Sequence, residues 1–208
     1  MGRYVGPVCR ICRREGMKLF LKGNRCNMSK CPIETGRAAP GMHGARRTKM
    51  SDYARQFREK QRLRKFYGLQ NGQFMRFFQK AVRRRGITGE LLLQALEMRL
   101  DNLVYRFGFA QSRSAARQFV LHKHVLVNGR ISDIPSMVLK AGDNAEVKDN
   151  KKSRDLAKRS LDASDGKSLS GWLTLDKARF QGEVLHIPAK EEIAPLVDEQ
   201  LVVELCSK

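Results

Sequence analysis

Four cysteines near the start of the chain have the side chains and spacing best suited to chemistry. They form two pairs, Cys9 with Cys12 and Cys26 with Cys31, joined by a segment that includes the apolar run 17–21. Zinc takes four tetrahedral ligands about 2.3 Å from each sulfur, and two facing turns supply them without a hydrophobic core. The spacing predicts one structural Zn²⁺ held by all four thiolates, with an iron–sulfur cluster or four unligated thiols as alternatives.

Arginine and lysine are the second set of side chains suited to binding. The 208 residues include 41 Lys and Arg against 21 Asp and Glu, a net charge of +20. Residues 1–86 carry 23 basic and 4 acidic side chains, whereas residues 87–208 carry 18 and 17. Such an excess indicates a polyanionic partner, and its concentration in one half favours RNA binding by that half. The candidate RNA contacts are Arg3, Arg10, Arg13, Arg14, Arg46, Arg47, Lys49, Arg55, Arg58, Arg62, Arg83, Arg84, Arg113, Arg117 and Arg130.

A central stretch, residues 98–130, predicts helix, turn, helix and hairpin. Apolar residues at steps of three or four from Leu92 to Phe107 predict one helix ending at Gly108. Ser112 is suited to cap a second helix, and Asn128-Gly129 is typical of a tight hairpin turn after the strand 125–127. We expect this stretch to form a small folded module.

Three arginines of this module are predicted to bind RNA. Arg113 and Arg117 lie four residues apart and are predicted to form an exposed pair, and Arg130 follows the hairpin turn. Guanidinium groups present several donors in one plane, which suits phosphate recognition, although a solvated helix face would have the same pattern. Phe119 is expected to hold the fold of the module instead.

The basic half of the chain contains a loop and two helices. Residues 32–50 are rich in Gly, Pro and basic residues and predict an arm that becomes ordered on nucleic acid. One helix is predicted from Ser51 to Phe66. Another is predicted from Asn71, with Phe74, Phe77, Phe78, Ala81 and Val82 as its core face and Arg83–Arg85 at its end.

The remainder of the chain predicts an exposed charged helix over 150–164 and short strands at 171–175, 183–187 and 201–205. No run of about 18 apolar residues is present, so we expect no membrane span, no signal peptide and a cytosolic protein. Cysteines in that compartment are more often ligands or free thiols than disulfides. Cys206, the fifth cysteine, is expected only to pack.

Several motifs together resemble the family of bacterial small-subunit ribosomal protein S4. They are Gly2–Cys9, Pro40–Gly44, Arg58–Arg62, Arg99–Arg106 and Val127–Arg130, and the likeness covers nearly the whole chain. The resemblance implies a structural protein that binds the 5′ domain of small-subunit ribosomal RNA early in assembly. It also implies contact with ribosomal protein S5, an influence on decoding accuracy and, in some members, repression of their own messenger.

The expected fold class is α+β, with an S4-type helix-helix-hairpin module inserted into a basic helical domain. The expected boundaries are 1–50 for the zinc segment and arm, 51–96 with 151–208 for the helical domain, and 97–150 for the module. Two residues depart from the family pattern: Met42 stands where Gln is expected, and Cys206 where an aromatic residue is expected.

Two other functions are alternatives for a basic chain with these motifs. An RNA-modifying enzyme would need a catalytic acid or nucleophile, yet the basic half offers only Glu15, Glu34, Asp52 and Glu59, none of them in a motif. A zinc-containing DNA regulator would need one helix with base-reading side chains, whereas the basic residues here are spread over several elements. We therefore expect neither an enzyme nor a small-molecule substrate.

Overall fold

A computed structural model of the chain describes residues 4–45, 49–163, 169–193 and 197–207. The chain forms two units, residues 1–91 with 195–208, and residues 92–194. The expected α+β class is confirmed, but residues 151–193 lie in the second unit and not, as predicted, with the helical domain. The boundary falls inside a helix, near Leu91.

The first unit is mainly helical. It contains α1 (Cys9–Glu15), a short 3-10 helix (Gly23–Asn27), α2 (Asp52–Phe66), α3 (Asn71–Val82), the first turn of α4 (Thr88–Glu97) and α9 (Glu199–Cys206). The Ser51 hydroxyl accepts the N–H of Ala54 at 3.3 Å, which confirms Ser51 as the cap of α2. Tyr53 and Phe57 stack on each other but stay exposed, so α2 buries Gln56 and Leu63 instead.

The core face of α3 is largely as predicted. Phe74, Phe77, Phe78 and Ala81 are buried, as the helical period required. Val82 was predicted to join them but is about half exposed, because it is the last residue of the helix and lies at its exposed end. The buried face of α3 therefore ends at Ala81, one residue earlier than the sequence indicated.

The strand predicted over 201–205 is wrong, because these residues form α9. Asp198 begins the helix by accepting the N–H of Gln200 at 3.0 Å. A short apolar run does not distinguish a buried strand from a helix by period alone, and here the cap favours the helix. Gln56 of α2 donates to Glu204 of α9 at 2.9 Å. A Cβ on Gly89 of α4 would lie 2.7 Å from Glu199 Cγ, so the glycine permits close packing against α9.

The second unit is built on one antiparallel sheet. Its strands are β1 (Val125–Val127), β2 (Arg130–Ser132), β3 (Asn144–Val147), β4 (Leu173–Asp176) and β5 (Gln181–Val184), and their spatial order is β2-β1-β3-β5-β4. The predicted hairpin is confirmed: Val127 pairs with Arg130, and Asn128 and Gly129 both have positive φ. Pairing of β3 with β5 extends the sheet beyond the module expected from sequence.

The other helices of this unit are α5 (Leu100–Arg106), α6 (Arg113–Leu121), α7 (Lys151–Asp162) and α8 (Lys190–Ile193). One core joins α5, α6 and α7 to the sheet through residues that include Leu103, Phe119, Val127, Ala157 and Trp172. The helix α7 was predicted to be exposed, but Ala157 and Leu161 bury one of its faces. A Cβ on Gly182 of β5 would lie 2.4 Å from the Phe107 ring, so only glycine fits there.

The single helix predicted from Leu92 to Phe107 is in fact two helices. Arg99 is extended and bridges to Val138, and the backbone of Leu100 donates to Met137 O at 2.8 Å. Leu139 N–H donates to Met98 O at 2.9 Å. These hydrogen bonds replace helical ones at 98–99 and end α4 there. Gly108 has φ 83°, which confirms the predicted left-handed end after α5.

Candidate nucleic-acid interface

The four N-terminal cysteines come close to one another in the first unit. Cys9 and Cys12 lie on α1, Cys26 lies in the 3-10 helix and Cys31 follows it. Burial raises the pKa of the Cys12 thiol, and the negative charges of Cys26, Cys9 and Cys31 raise it further, against one hydrogen bond from the Leu19 backbone that lowers it. Mutual repulsion of this kind requires short distances between the thiols.

This cluster does not have the geometry of a metal site in the described ranges. Over those ranges, no group of three or more His, Cys, Asp or Glu side chains is arranged to hold an ion. Three of the four thiols are buried, which suits an enclosed thiolate site, but their coordination of zinc stays a prediction. Cys206 lies on α9, where burial raises its pKa and Lys60 lowers it in part.

The predicted basic arm is only partly covered by the structure. Arg3, Arg46 and Arg47 lie outside the described residues, and Lys49 is exposed just before α2. Arg13 of α1 donates through Nη1 to Ala38 O at 3.3 Å, so it has a contact within the protein.

Two arginines of α2 that were predicted to bind RNA turn towards a buried carboxylate. Arg58 Nη1 lies 3.4 Å from Glu15 Oε1, and Arg62 Nη2 donates to the backbone oxygen of Glu15 at 3.2 Å. Arg62 also pairs with Glu59. Burial raises the pKa of Glu15, while Arg58 and Arg62 oppose that shift. Both arginines therefore link α2 to α1, and their contact with RNA stays a prediction.

Other basic side chains of the first unit face solvent. Arg10 and Arg14 on α1, and Arg83 and Arg84 after α3, are exposed. With the described part of the chain, the side chains of Arg10, Arg83 and Arg84 form no hydrogen bond or ion pair. Arg55 is exposed beside Asp52 at 3.4 Å. Unpaired exposed guanidinium groups can engage phosphate without first breaking an internal contact.

The exposed pair predicted on α6 does not exist as expected, because Arg113 is buried. Its Nε donates to Asn102 Oδ1 at 2.8 Å, and its guanidinium lies over the Tyr105 ring, 4.5 Å from the centroid. The four-residue spacing correctly predicted that Arg113 and Arg117 lie on the same face of α6, but that face packs on α5. Arg113 therefore stabilises the fold.

Arg117 belongs to a second contact on the same face. Its Nη1 lies 3.7 Å from Asp101 Oδ2, and the Arg117 side chain is 22% exposed. Asp101 is already bound by Arg99 at 3.0 Å and 2.6 Å. Burial lowers the pKa of Arg117, Asp101 raises it and Arg99 lowers it. Arg117 thus keeps partial exposure and an incompletely neutralised charge.

The buried acceptors of these arginines were not predicted from the sequence. Glu97 is fully buried and accepts from Asn102 at 2.6 Å and from Arg106 at 2.8 Å and 3.0 Å. In this buried arginine cluster, the carboxylates of Glu97 and Asp101 pair with three arginines, Arg106, Arg99 and Arg117, whereas Arg113 binds the amide of Asn102. The only sequence signal was that Glu97 and Asp101 lie within the helix predicted from Leu92 to Phe107. Charged residues are unusual in such an apolar helix unless they are paired.

Arg130 is the one predicted contact of the second unit that is fully presented. It follows the Asn128–Gly129 turn at the start of β2 and is exposed. The turn is held by Asn128 Nδ2 donating to Asp143 Oδ1 at 2.9 Å, and the Asn144 N–H donates to Asn128 Oδ1 at 2.9 Å. The hairpin therefore presents Arg130 from a rigid base.

Comparisons with known proteins agree with this arrangement. A family model described as "Ribosomal protein S4/S9 N-terminal domain" matches residues 3–97, and one described as "S4 domain" matches residues 98–144. The chain is 49% identical to small ribosomal subunit protein uS4 of Acidithiobacillus ferrooxidans, 50% identical to that of a Thermoanaerobacter species and 47% identical to that of Thermus thermophilus. Each comparison covers all of both chains. Among the described helices, none has the length and apolar character needed to cross a bilayer.

Proposed function

The chain belongs to the ribosomal protein S4 family, and from this membership we propose that it is a structural constituent of the small ribosomal subunit that binds small-subunit ribosomal RNA directly. The observation that carries this is identity of 47–50% over the whole length of relatives named small ribosomal subunit protein uS4. Its place in the cell is accordingly the ribosome, in the cytoplasm.

The charge distribution explains how the chain would hold RNA. Residues 1–86 carry 23 basic and 4 acidic side chains. Exposed Arg10, Arg14, Arg83 and Arg84 can each displace counterions from phosphates, and Arg130 adds a contact from the second unit. Because these groups lie on several elements, they suit a folded RNA that is recognised by backbone and shape.

The finer roles rest on the resemblance. We propose that the chain binds the 5′ domain early in subunit assembly and contacts ribosomal protein S5 in a way that affects decoding accuracy. The alternative of an RNA-modifying enzyme with an accessory S4 module needs a separate catalytic domain, whereas full-length ribosomal relatives account for the whole chain. Membership in this family therefore argues against an enzyme.

We also propose that Cys9, Cys12, Cys26 and Cys31 bind one Zn²⁺. What supports this is their mutual electrostatic effect on Cys12 and the burial of three of the four thiols. A bound zinc would stabilise the segment 9–31, which has little hydrophobic core of its own. Metal analysis of the purified chain should give about one zinc per protein, lost on Cys26→Ser with Cys31→Ser but retained on Cys206→Ser. Full zinc retention in the double variant would contradict the assignment.

Direct RNA binding is tested by comparing small-subunit ribosomal RNA fragments with duplex DNA at matched salt. The full chain should bind the ribosomal 5′ domain far more tightly than DNA, because general attraction to phosphate favours both polymers alike and shape favours only one. Equal affinity for the two polymers would show that the chain binds them only through nonspecific attraction to phosphate, and would contradict the proposal. A footprint on small-subunit RNA would then locate the contacted helices.

A further inference from the structure

A cleft of about 340 Å³ opens in the second unit beside α6 and α7. Its walls come from the loop before α6, from α6 itself, from the segment leading into β1 and from α7. The side chains that matter for its chemistry are Gln111, Gln118, Phe119, His122, His124 and Ser160. None of the contacts assigned above to phosphate binding or to the buried arginine cluster lies in it.

The cleft differs in charge from the rest of the protein. The chain has a net charge of +20, yet the described residues that line this cleft include no lysine or arginine. A phosphate would gain no ion pair there. The lining instead offers amides, imidazoles, a hydroxyl and apolar carbon, which suit a neutral polar ligand.

Aromatic rings form one wall of the cleft. The Phe119 and His124 rings are 4.9 Å apart between centroids at 30°, and His122 lies 6.1 Å from His124. His124 Nδ1 is 2.8 Å from Ser153 Oγ, which fixes the ring. Burial lowers the pKa of His124, and His122 and Lys148 lower it further, so that ring is neutral at neutral pH. Such a wall offers flat surface for a planar ligand.

A buried hydroxyl in the cleft has no partner. Ser160 is 4% exposed, and its Oγ makes no hydrogen bond with the described part of the chain. Buried polar groups are nearly always paired, because an unpaired one loses its hydrogen bonds to water without replacement. Ser160 therefore brings an unpaired polar group to the wall of this cleft.

We propose that this cleft binds an unstacked base of the RNA, an inference that rests on the proposed RNA-binding function. A nucleobase is uncharged and planar and carries donors and acceptors on its edges. Single-stranded bases in RNA are commonly recognised by stacking on aromatic side chains together with hydrogen bonds to those edges. The exposed amides of Gln111 and Gln118 supply edge contacts at the rim, and a volume of this order accommodates one base.

The test compares two double variants of the full chain in binding to a small-subunit ribosomal RNA fragment. Gln111→Ala with Gln118→Ala removes two uncharged groups from the cleft. Gln79→Ala with Gln200→Ala removes two exposed glutamines outside it. We expect about tenfold weaker binding for the cleft variant and no change for the control. The salt slope should be the same for both, because no charge is removed.

Ultraviolet crosslinking followed by mass spectrometry provides the second readout. A base crosslinked to the peptide that carries Phe119, His122 and His124 is expected. An unchanged affinity of the cleft variant, or crosslinks confined to other peptides, would overturn the inference while RNA binding by the parent chain stands. No binding by the parent chain would overturn the proposed function together with it. Adenosine monophosphate can also be added as a competitor. If it removes the crosslink while the affinity for RNA is unchanged, the cleft binds a free nucleotide, and the inference is also overturned.

Discussion

Arg83 and Arg84, in the first unit, are exposed and form no ion pair with the described part of the chain, whereas Arg99, in the second, is buried against the carboxylate of Asp101. The difference follows the supply of acidic side chains. Residues 1–86 have 4 acidic residues for 23 basic ones, while the remainder has 17 for 18. Where carboxylates are available, an arginine can be neutralised inside the fold. Where they are scarce, it stays in water and is available to a polyanion.

Glu15 shows that the comparison depends on local partners and not on the unit as a whole. It lies in the basic half, yet it is buried and draws Arg58 and Arg62 towards α1. Burying a carboxylate has a cost unless cations compensate it. One buried acidic residue therefore gives two arginines that were predicted to contact RNA a partner inside the protein.

The largest expected effect is the loss of a buried carboxylate in the second unit. Asp101→Ala would leave Arg99, which is fully buried, without its bidentate acceptor. Breaking one side of a buried pair costs about 3–5 kcal/mol, because the other charge stays buried. Denaturant unfolding should show this loss. Asp133→Ala is the matched control, since its pair with Lys123 is exposed and should change stability by at most about 1 kcal/mol.

The next effect separates the two arginines of α6. Arg113→Ala should lower stability by about 1–3 kcal/mol, because it removes the hydrogen bond to Asn102 and the contact with Tyr105. Arg117→Ala should cost less, since Arg117 is partly exposed and its removal relieves repulsion from Arg99. Unfolding curves compare the two directly. If RNA binding falls more for Arg113→Ala than for Arg117→Ala in fully folded protein, the structural role of Arg113 is wrong.

A third, smaller effect concerns exposed arginines with and without acidic neighbours. Arg83→Ala with Arg84→Ala should leave stability unchanged and lower the slope of log K against log salt by up to about 2 in RNA binding. Arg154→Ala with Arg179→Ala should change the slope less, because those side chains lie by Asp149 and Asp176. Equal changes in slope for the two variants would show that acidic neighbours do not decide which arginines meet phosphate.

The sequence predicted local structure well where one signal was sufficient. Ser51 and Ser112 cap helices, and Asn128-Gly129 forms the hairpin turn, because each depends on its own backbone and nearest neighbours. The α+β class and the family also followed from the sequence. The break at Arg99 did not, because it is caused by backbone hydrogen bonds to 137–139, some forty residues away.

The candidate site was predicted less completely than the fold. Exposure of Arg113 was wrong because its acceptor, Asn102, lies on another helix and is amidic, so no charge pattern indicated it. The helix α9 was mistaken for a strand because its apolar run is too short to show a period. The cleft beside α6 and α7 was also missed, since its lining is brought together only when α7 packs on the sheet unit.

The smallest expected effect concerns whether the contacts of buried Glu15 with Arg58 and Arg62 stabilise the fold. Burial raises the pKa of Glu15 above its ordinary value of 4.5, despite Arg58 and Arg62. The folded chain then holds this proton to higher pH than the unfolded chain does. The contribution of Glu15 to stability is therefore fully present below the pKa that it has in the unfolded chain. It declines as the pH rises through the higher pKa that it has in the folded chain.

Glu15→Gln cannot titrate, so its unfolding free energy should lose this decline and at neutral pH should equal or exceed that of the parent by about 1 kcal/mol or less. Denaturant unfolding from about pH 4 to about pH 7 measures both curves. Glu34→Gln is the control, because Glu34 is exposed beside Lys18. If Glu15→Gln were less stable than the parent at neutral pH, the two arginines would outweigh burial. The link between α1 and α2 would then be an ion pair that stabilises the first unit, as the pair of Asp101 with Arg99 does in the second.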